Sequence, residues 1–199
     1  MPPKARISKE MIIKEAFQIA QKQGVDKITA RSISERLKCS TQPVLYYFAT
    51  VEEIKEAVYQ QADVYHTCWL MNKECDYGTP LLNIGMNYIR FAVEERNLFH
   101  LLFQSNEFSG TSIMDLIQSE ELEPVIQILQ QEAGVTADEA REIFTTLFIF
   151  VHGYASMFAN NEMTYDEKLL VTSLTKVFWG AIYAAKETKK LNGKNEGKK

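Results

Sequence analysis

The sequence predicts an all-α fold with two domains, and three observations carry this prediction. Apolar residues recur at helical spacing in most segments between residues 8 and 189. No segment alternates polar and apolar residues for long enough to indicate a sheet. Residues 1–60 hold ten Lys or Arg and seven Asp or Glu, whereas residues 61–185 hold six and seventeen. We therefore expect an N-terminal domain of residues 1–50, a larger domain of residues 51–189 and a disordered basic tail of residues 190–199.

The first helix is expected to begin after Ser8 and to end at Gly24. A serine side chain accepts a hydrogen bond from one of the backbone N–H groups that have no partner at the start of a helix. Ile7 and Ile12 flank this cap in the manner of a hydrophobic staple. Gly24 is suited to the left-handed conformation that ends many helices.

A second and a third helix are expected after short turns. Thr29 is a good cap for the second helix, and Lys38–Cys39 forms the turn after it. Ser40 is expected to cap the third helix, which runs to about Phe48. Pro43 then stands in the first helical turn, where its missing N–H removes no intrahelical hydrogen bond.

Helical patterns continue through the rest of the chain. A fourth helix is expected from Val51 toward residue 66, and further helices at residues 80–96, 97–106, 113–132, 137–160 and 166–189. The strings TADE, Thr136–Glu139, and TYDE, Thr164–Glu167, have the residue types of a capping box. We expect a helix to begin at each of them.

The helix predicted over residues 137–160 is apolar nearly all round. Its segment IFTTLFIFVHGYASMF, residues 143–158, must be covered on more than one side. The last helix carries an apolar stripe of its own, and Gly153 and Gly180 permit close approach of helices. Two such helices from each of two chains would form a four-helix bundle, so we expect a homodimer. The alternative is that both are core helices of a monomer.

Composition and cysteine usage indicate a cytoplasmic protein. No apolar run approaches the roughly 18 residues that span a bilayer, and the N-terminus lacks the apolar segment of a secretory leader. Cys39, Cys68 and Cys75 are odd in number and irregularly spaced, so we interpret them as reduced thiols. The spacing of Cys68 and Cys75 is not that of zinc ligands, although His66 lies close by. We expect no metal, no cofactor and no membrane partner.

The segment from Thr29 to Phe48 has the layout of a helix-turn-helix that places its second helix in the major groove of DNA. A glutamine in the first turn of that helix can pair with adenine, and tyrosine hydroxyls can bind phosphate oxygens. Pro43 and Val44 could touch a thymine methyl, whereas Leu45 is expected to face inward. The expected DNA contacts are Thr29, Arg31, Lys38, Ser40, Thr41, Gln42, Pro43, Val44, Tyr46 and Tyr47. The two tyrosines could instead pack within the small domain.

Residues 8–58 resemble the N-terminal DNA-binding domain of the TetR family of transcriptional repressors. The resemblance rests on a glycine after the first helix, a threonine opening the second, and an ungapped string from the third helix into the fourth. These positions are Gly24, Thr29, Ile33, Ser34, Ser40, Phe48, Glu52, Glu53 and Ile54. The family often has Tyr, His and Lys where this chain has Leu45, Tyr47 and Val51, and the Lys is the residue from which a phosphate contact would be expected. The string FVHGYASMFANN is similar to a helix of one group of TetR-like C-terminal domains.

The resemblance implies a homodimer in which an N-terminal three-helix helix-turn-helix domain binds a palindromic operator on double-stranded DNA. A larger C-terminal helical domain would bind a small-molecule effector and form the dimer, and ligand would release the DNA. Aromatic and Met side chains between residues 80 and 160 suit a flat, apolar ligand. The expected pocket residues, each of which could instead be ordinary core, are Tyr88, Phe91, Phe99, Phe103, Met114, Phe148, His152 and Met157.

Two other classes of function stay open on the sequence. An enzyme would need a catalytic pattern, but His66, His100 and His152 stand outside any recognisable triad or metal motif, and no Gly-rich phosphate loop occurs. The second class is a helical adaptor or ligand-binding protein whose helix-turn-helix does not bind DNA. The modest positive charge of the N-terminal residues and the missing Lys at Val51 would allow it.

Overall fold

The computed structural model of the chain describes residues 7–71, 76–104 and 119–196, and all regular structure in these ranges is helical. The prediction of an all-α fold is therefore confirmed. Short 3-10 turns lie at Val25–Lys27 and Glu120–Leu122. The α-helices are α1 Lys9–Gln23, α2 Ala30–Leu37, α3 Gln42–Tyr47, α4 Val51–Leu70, α5 Pro80–Glu94, α6 Arg96–Phe103, α7 Glu123–Ala133, α8 Ala137–Asn160 and α9 Glu167–Glu196.

The chain divides into two compact units, and the first of them is discontinuous in sequence. The described residues within Met1–Cys68 and Glu94–Phe108 form the N-terminal unit. Those within Trp69–Val93 and Ser109–Lys199 form the C-terminal unit. The N-terminal unit thus contains α1 to α3, nearly all of α4, and α6. The functional division at residue 50 that the sequence suggests stays a prediction.

A face of small and branched apolar residues holds α1 in the core of the N-terminal unit. Ile12, Ala16 and Ala20 lie one turn apart and are almost fully buried, so α1 packs closely against α2, α3 and α6. The predicted cap is confirmed, because Ser8 Oγ accepts a hydrogen bond of 3.3 Å from the Met11 N–H. Gly24 follows the helix with φ 94° and ψ 157°, a positive-φ conformation that favours glycine although it is not the left-handed helical one expected.

The helix α2 begins as predicted. Thr29 Oγ1 accepts a hydrogen bond of 2.9 Å from the Ser32 N–H, and Ser32 Oγ accepts one of 3.0 Å from the Thr29 N–H. These two bonds form a capping box. Ile33 and Ser34 then face the core of the N-terminal unit.

The helix α3 starts one residue later than predicted, and the prediction that Ser40 caps it is wrong. Thr41 occupies the cap position without a side-chain hydrogen bond, and its carbonyl accepts a bond of 3.1 Å from the Leu45 N–H. Pro43 is the second helical residue, where its ring costs no helix hydrogen bond. Because Pro43 has no N–H at this position, it cannot donate to a capping side chain.

In the C-terminal unit, α8 packs against both α7 and α9. Its predicted capping box is confirmed, since the Thr136 N–H donates to Glu139 Oε2 at 2.8 Å and Thr136 Oγ1 accepts from the Glu139 N–H at 3.4 Å. Gly85 brings α5 close to α9, because a Cβ at this glycine would lie 2.8 Å from Leu174 Cδ2. The core of this unit is aliphatic and aromatic, with Met86, Ile89, Phe91, Ile126, Leu129, Ile143 and Phe178 almost fully buried.

The last helix begins and ends at residues that differ from the sequence expectation. Asp166 Oδ1 accepts a hydrogen bond of 3.0 Å from the Leu169 N–H, so Asp166 caps α9 and the predicted capping box at Thr164 is wrong. The helix continues to Glu196, through residues expected to be disordered. Lys and Glu are good helix formers, and a single glycine costs a helix only about 1 kcal/mol.

Of the predicted helix at 113–132, residues 113–118 lie outside the described part of the chain.

By length and composition, α8 is the one helix in the described residues that could cross a membrane. This finding differs from the sequence expectation that no apolar run approaches that length. A core helix of a soluble protein passes the same test, and α8 packs against α7 and α9. Packing against α7 and α9 accounts for the apolar residues on the buried sides of α8.

Candidate nucleic-acid interface and apolar cluster

The α2–α3 connection is a tight turn built on one unusual backbone conformation. Lys38 ends α2 in the left-handed region, with φ 51° and ψ 44°, and is the one non-glycine residue with positive φ in the described chain. The Cys39 N–H reaches back to the Ser34 carbonyl at 3.0 Å. The chain then turns through Ser40 and enters α3 at Gln42. This is the connection of a helix-turn-helix.

One face of α3 is buried and the opposite face is exposed, and two sequence predictions about these faces are wrong. Val44 is fully buried and Phe48 nearly so, so Val44 fills the core and has no surface for DNA. Leu45, expected to face inward, is instead 56% exposed, and Tyr46 is 82% exposed. The reason is helical geometry, because residues 44 and 45 point about 100° apart and only one of them can face the core.

The remaining predicted DNA contacts of the turn and of α3 lie on or near its outward surface. Ser40, Thr41 and Gln42 are exposed, whereas Pro43 and Tyr47 are half-buried. The rings of Tyr46 and Tyr47 meet edge to face, with centroids 5.1 Å apart. The hydroxyl-bearing and amide-bearing side chains thus share one surface, and Tyr47 also contributes to the packing of the unit.

The cationic side chains of α2 and of the turn after it differ in their ion pairs. Arg31 is exposed, but its Nε contacts Glu35 Oε1 at 2.9 Å one turn along α2. Arg36 Nε contacts Glu15 Oε2 of α1 at 2.7 Å and so joins two helices. Lys38 is exposed beside the turn, and Thr29 is exposed at the start of α2. An exposed ion pair contributes little stability, so Arg31 can exchange Glu35 for a phosphate at small cost.

A carboxylate that the sequence analysis does not single out joins three helices of the N-terminal unit. Glu95, at the start of α6, accepts hydrogen bonds on Oε1 from the Gln21 side chain of α1 at 2.8 Å and from the Tyr65 hydroxyl of α4 at 2.9 Å. Asn97 of α6 also donates to the Gln21 carbonyl at 2.9 Å. Burial and the Glu95 carboxylate raise the pKa of Tyr65 to about 12. The partners stand 74 and 30 residues from Glu95 in the chain, so no local motif marks them.

In the C-terminal unit the structure brings together three of the predicted ligand residues. The hydroxyl of Tyr88 on α5 lies 2.9 Å from Nδ1 of His152 on α8, and Tyr88 itself is buried. The His152 ring stacks on Phe148, with centroids 5.4 Å apart, and Phe148 stacks in turn on Phe144 at 5.8 Å. Burial lowers the pKa of His152 below its ordinary value and raises that of Tyr88. We call Tyr88, Phe144, Phe148 and His152 the apolar cluster.

The other predicted ligand residues lie elsewhere. Phe91 is fully buried and meets Trp69 edge to face at 5.7 Å. Phe99 and Phe103 belong to the N-terminal unit, where their rings meet at 5.0 Å. Met157 is 47% exposed on α8, and Met114 lies outside the described residues. Among the expected residues, Tyr88, Phe148 and His152 contact one another, and the pocket that the sequence suggests stays a prediction.

The helices α8 and α9 leave an apolar surface uncovered. The exposed large apolar residues of these two helices are Ile149, Met157, Leu169, Trp179 and Tyr183. An open groove of about 290 Å³ lies between the same two helices. It is lined by Glu142, Ile143, Thr146, Gly180, Ala181, Ala184 and Ala185. No predicted ligand residue lines the groove, and the lining residues that α9 contributes are small, which suits close helix approach. We call these two features together the α8–α9 surface.

The described residues hold no cluster of three or more His, Cys, Asp or Glu side chains that could bind a metal ion. Cys39 and Cys68 are free thiols, and Cys75 lies outside the described ranges. His66 is buried beside Phe103, with ring centroids 5.1 Å apart, and burial lowers its pKa to about 4. A neutral, buried imidazole of this kind is a packing residue of the N-terminal unit.

Two comparisons with known proteins bear on the fold and the family. The fold is similar to the solved structure of a TetR-like transcriptional regulator from Rhodococcus sp. RHA1, with a TM-score of 0.59 and 14% sequence identity over 90% of this chain and 96% of that chain. No curated protein matches the sequence. Residues 81–177 match the family model described as Tetracyclin repressor-like, C-terminal domain. The segment 81–177 is thus similar to TetR-like C-terminal domains, and the chain has the fold of a TetR-like transcriptional regulator.

Proposed function

We propose that this protein is a homodimeric, cytoplasmic repressor that binds a palindromic DNA operator through α3 and leaves it when a small apolar ligand binds. The outward surface of α3 carries the proposal. It presents Thr41, Gln42 and Tyr46 to solvent while Val44 and Phe48 anchor the helix in the core. Polar side chains on the exposed face of the second helix of a helix-turn-helix are suited to read base edges.

The α8–α9 surface supports the dimer. Trp179 and Tyr183 are 55% and 68% exposed, although large aromatic residues are among those that contribute most to interfaces. The same surface on a second copy would cover them in a two-fold four-helix bundle. Two copies would also present two α3 helices, as a palindromic operator requires.

The apolar cluster supports the ligand. An aromatic wall of Phe144 and Phe148 beside the Tyr88–His152 hydrogen bond provides apolar contacts together with two polar atoms. Ligand pockets commonly have this composition. We propose that the effector is a planar apolar molecule that contacts these side chains.

DNA binding is tested by selecting sequences from a random duplex library with the full chain, then titrating the enriched duplex and a scrambled one at two salt concentrations. Gln42→Ala should lose about 1–3 kcal/mol on the enriched duplex and flatten discrimination at one position in each half-site. Tyr47→Phe should weaken both duplexes similarly, because a phosphate contact carries no base information. Sequence preference that survives Gln42→Ala but is abolished by Tyr47→Phe would contradict this placement of α3.

Dimerisation is tested by light scattering at micromolar protein, which should give twice the chain mass of 22.8 kDa. Ile149→Glu places a charge on the α8–α9 surface and should shift the protein toward the monomer. Val64→Glu is the matched control, because Val64 is an aliphatic residue on α4 whose side chain is also more than half exposed. A wild-type monomer, or dissociation by the control alone, would contradict the proposed interface.

Ligand binding is tested by thermal shift against a panel of planar apolar compounds. A compound that stabilises the wild-type protein should stabilise Phe148→Ala and Tyr88→Phe less, because the first variant removes an aromatic contact and the second removes the hydroxyl that bonds His152. Compounds whose effect is unchanged in both variants would place the effector elsewhere.

A second candidate is a helical adaptor whose helix-turn-helix does not bind DNA. The charge arrangement supports this alternative, because Arg31 and Arg36 form ion pairs with Glu35 and Glu15. In addition, Val51 stands where the TetR family often has Lys. An adaptor would enrich no duplex at low salt, whereas a regulator would bind with an affinity that falls steeply as salt rises. We propose no catalytic role for any residue of the described chain.

A further inference from the structure

The outward face of α3 contains one aliphatic side chain that is more than half exposed, among polar ones. At about 100° per residue, Thr41, Leu45, Gln42 and Tyr46 follow one another around this face in that order. Leu45 is therefore flanked by Thr41 and Gln42, and more than half of its surface is exposed. The core does not require it, because Val44 and Phe48 fill the inward face of the same helix.

A single exposed leucine is common on protein surfaces and signifies nothing alone. Its position is what distinguishes Leu45. It lies one turn after Gln42, the side chain with the donor and acceptor pattern for adenine, on the face that a helix-turn-helix turns toward the major groove. In that groove the apolar feature of a base edge is the C5-methyl group of thymine.

We propose that Leu45 contacts a thymine methyl in the operator, next to the adenine that Gln42 reads. This inference rests on the proposed DNA-binding function and names the bases that α3 selects. Residues three apart on a helix are separated by about 4.5 Å along its axis, and successive base pairs by about 3.4 Å. Contacts from Gln42 and Leu45 therefore fall on the same or on adjacent base pairs. Each half-site should contain A·T pairs at both contacted positions.

The test replaces each thymine of the selected duplex in turn with deoxyuridine, which lacks only the C5-methyl group. From the free energy of burying one methyl group, we expect deoxyuridine at one thymine position to weaken binding roughly four-fold for each half-site. Leu45→Ala should lose a similar factor on the unmodified duplex and should no longer respond to deoxyuridine at that position. The two changes should therefore be non-additive, as expected for groups in contact.

Two controls separate this contact from other effects. Gln42→Ala should keep its response to deoxyuridine, because it leaves the leucine in place. Circular dichroism should show Leu45→Ala folded, since the side chain contributes little to the core. In the converse experiment, 5-methylcytosine in place of cytosine at the Leu45 position should recover part of the affinity that a T·A to C·G change removes.

The outcomes distinguish this inference from the function on which it rests. If no duplex is enriched, both the proposed function and the thymine contact are overturned. If a duplex is enriched but no deoxyuridine weakens binding, the function stands and the contact with Leu45 is wrong. If deoxyuridine weakens Leu45→Ala as much as the wild-type protein, another residue reads the methyl group and the inference also fails.

Discussion

Tyr65 and Glu95 are joined by a hydrogen bond of 2.9 Å from the tyrosine hydroxyl to Oε1 of the carboxylate. The same oxygen accepts the Gln21 side chain, and the Tyr65 ring also meets Phe17 edge to face at 5.6 Å. One carboxylate therefore fixes the positions of α1, α4 and the start of α6 within the N-terminal unit. Because α1 packs against α2 and α3, this carboxylate is connected through α1 to the helix-turn-helix.

We predict that Glu95→Ala destabilises the protein by roughly 2–3 kcal/mol, because two charge-assisted hydrogen bonds are lost and their half-buried donors are left without that acceptor. Urea unfolding followed by circular dichroism measures the change. Glu95→Gln keeps an acceptor oxygen at the same place and should lose less. Equal losses in the two variants would show that the hydrogen bonds are not the source of the effect.

We predict that stability falls as pH drops from 6.5 toward 4, in part because of His66. Burial lowers the pKa of His66 in the folded state to about 4, below the unfolded value, so the neutral form is favoured by folding. The contribution is therefore present above pH 6.5 and is lost on acidification, by up to about 3 kcal/mol. Urea unfolding at several pH values should give a smaller acid loss for His66→Leu.

His152 contributes in the same direction, because burial also lowers its pKa. Proton NMR of the imidazole resonances distinguishes the titration of His66 from that of His152. One resonance, absent from His66→Leu, should titrate with a midpoint near 4. A His66 midpoint near 6.5 would contradict the buried, neutral assignment.

We predict that Lys38→Gly stabilises the protein by about 1 kcal/mol relative to Lys38→Ala, because glycine adopts the left-handed conformation of this turn without the Cβ penalty. Both variants remove the same charge, so the comparison isolates the backbone. Thermal or urea unfolding measures the difference. An alanine variant as stable as the glycine variant would indicate that this conformation is not strained.

We predict that Glu35→Gln strengthens DNA binding and makes it more dependent on salt. Glu35 neutralises Arg31 across a distance of 2.9 Å, so its replacement frees the guanidinium for a phosphate. One additional phosphate contact should steepen the slope of log K against log salt by about 0.9. Glu56→Gln, which removes the same charge on α4, is the control. An equal effect of the control would indicate net charge rather than release of Arg31.

Local chemistry allowed the sequence to predict the helix starts at Ser8, Thr29 and Thr136, because each cap involves residues within one turn of the helix. The errors at Ser40 and Thr164 have the same origin. In both cases a competing residue, Thr41 or Asp166, lies closer to the true start. A pattern of capping residues cannot decide between neighbours when several of them suit the position.

The candidate site was less predictable than the fold. Val44 and Leu45 both lie about one helical turn before the buried Phe48, so the sequence pattern could not decide which of them faces inward. The contacts of Glu95 could not be found from local patterns, since they join residues far apart in the chain. Aromatic content suggested eight pocket residues, but it could not indicate that Phe99 belongs to the N-terminal unit.

The discontinuity of the N-terminal unit has a consequence for its synthesis. The helix-turn-helix leaves the ribosome first, but α6, which packs against α1, follows only after residues 69–93 of the other unit. Since chains grow by about 5–20 residues per second, the apolar side of α1 waits for its last partner for seconds. The nascent N-terminal segment is thus a candidate for chaperone binding, and a fragment ending at residue 68 should aggregate more readily than one ending after α6.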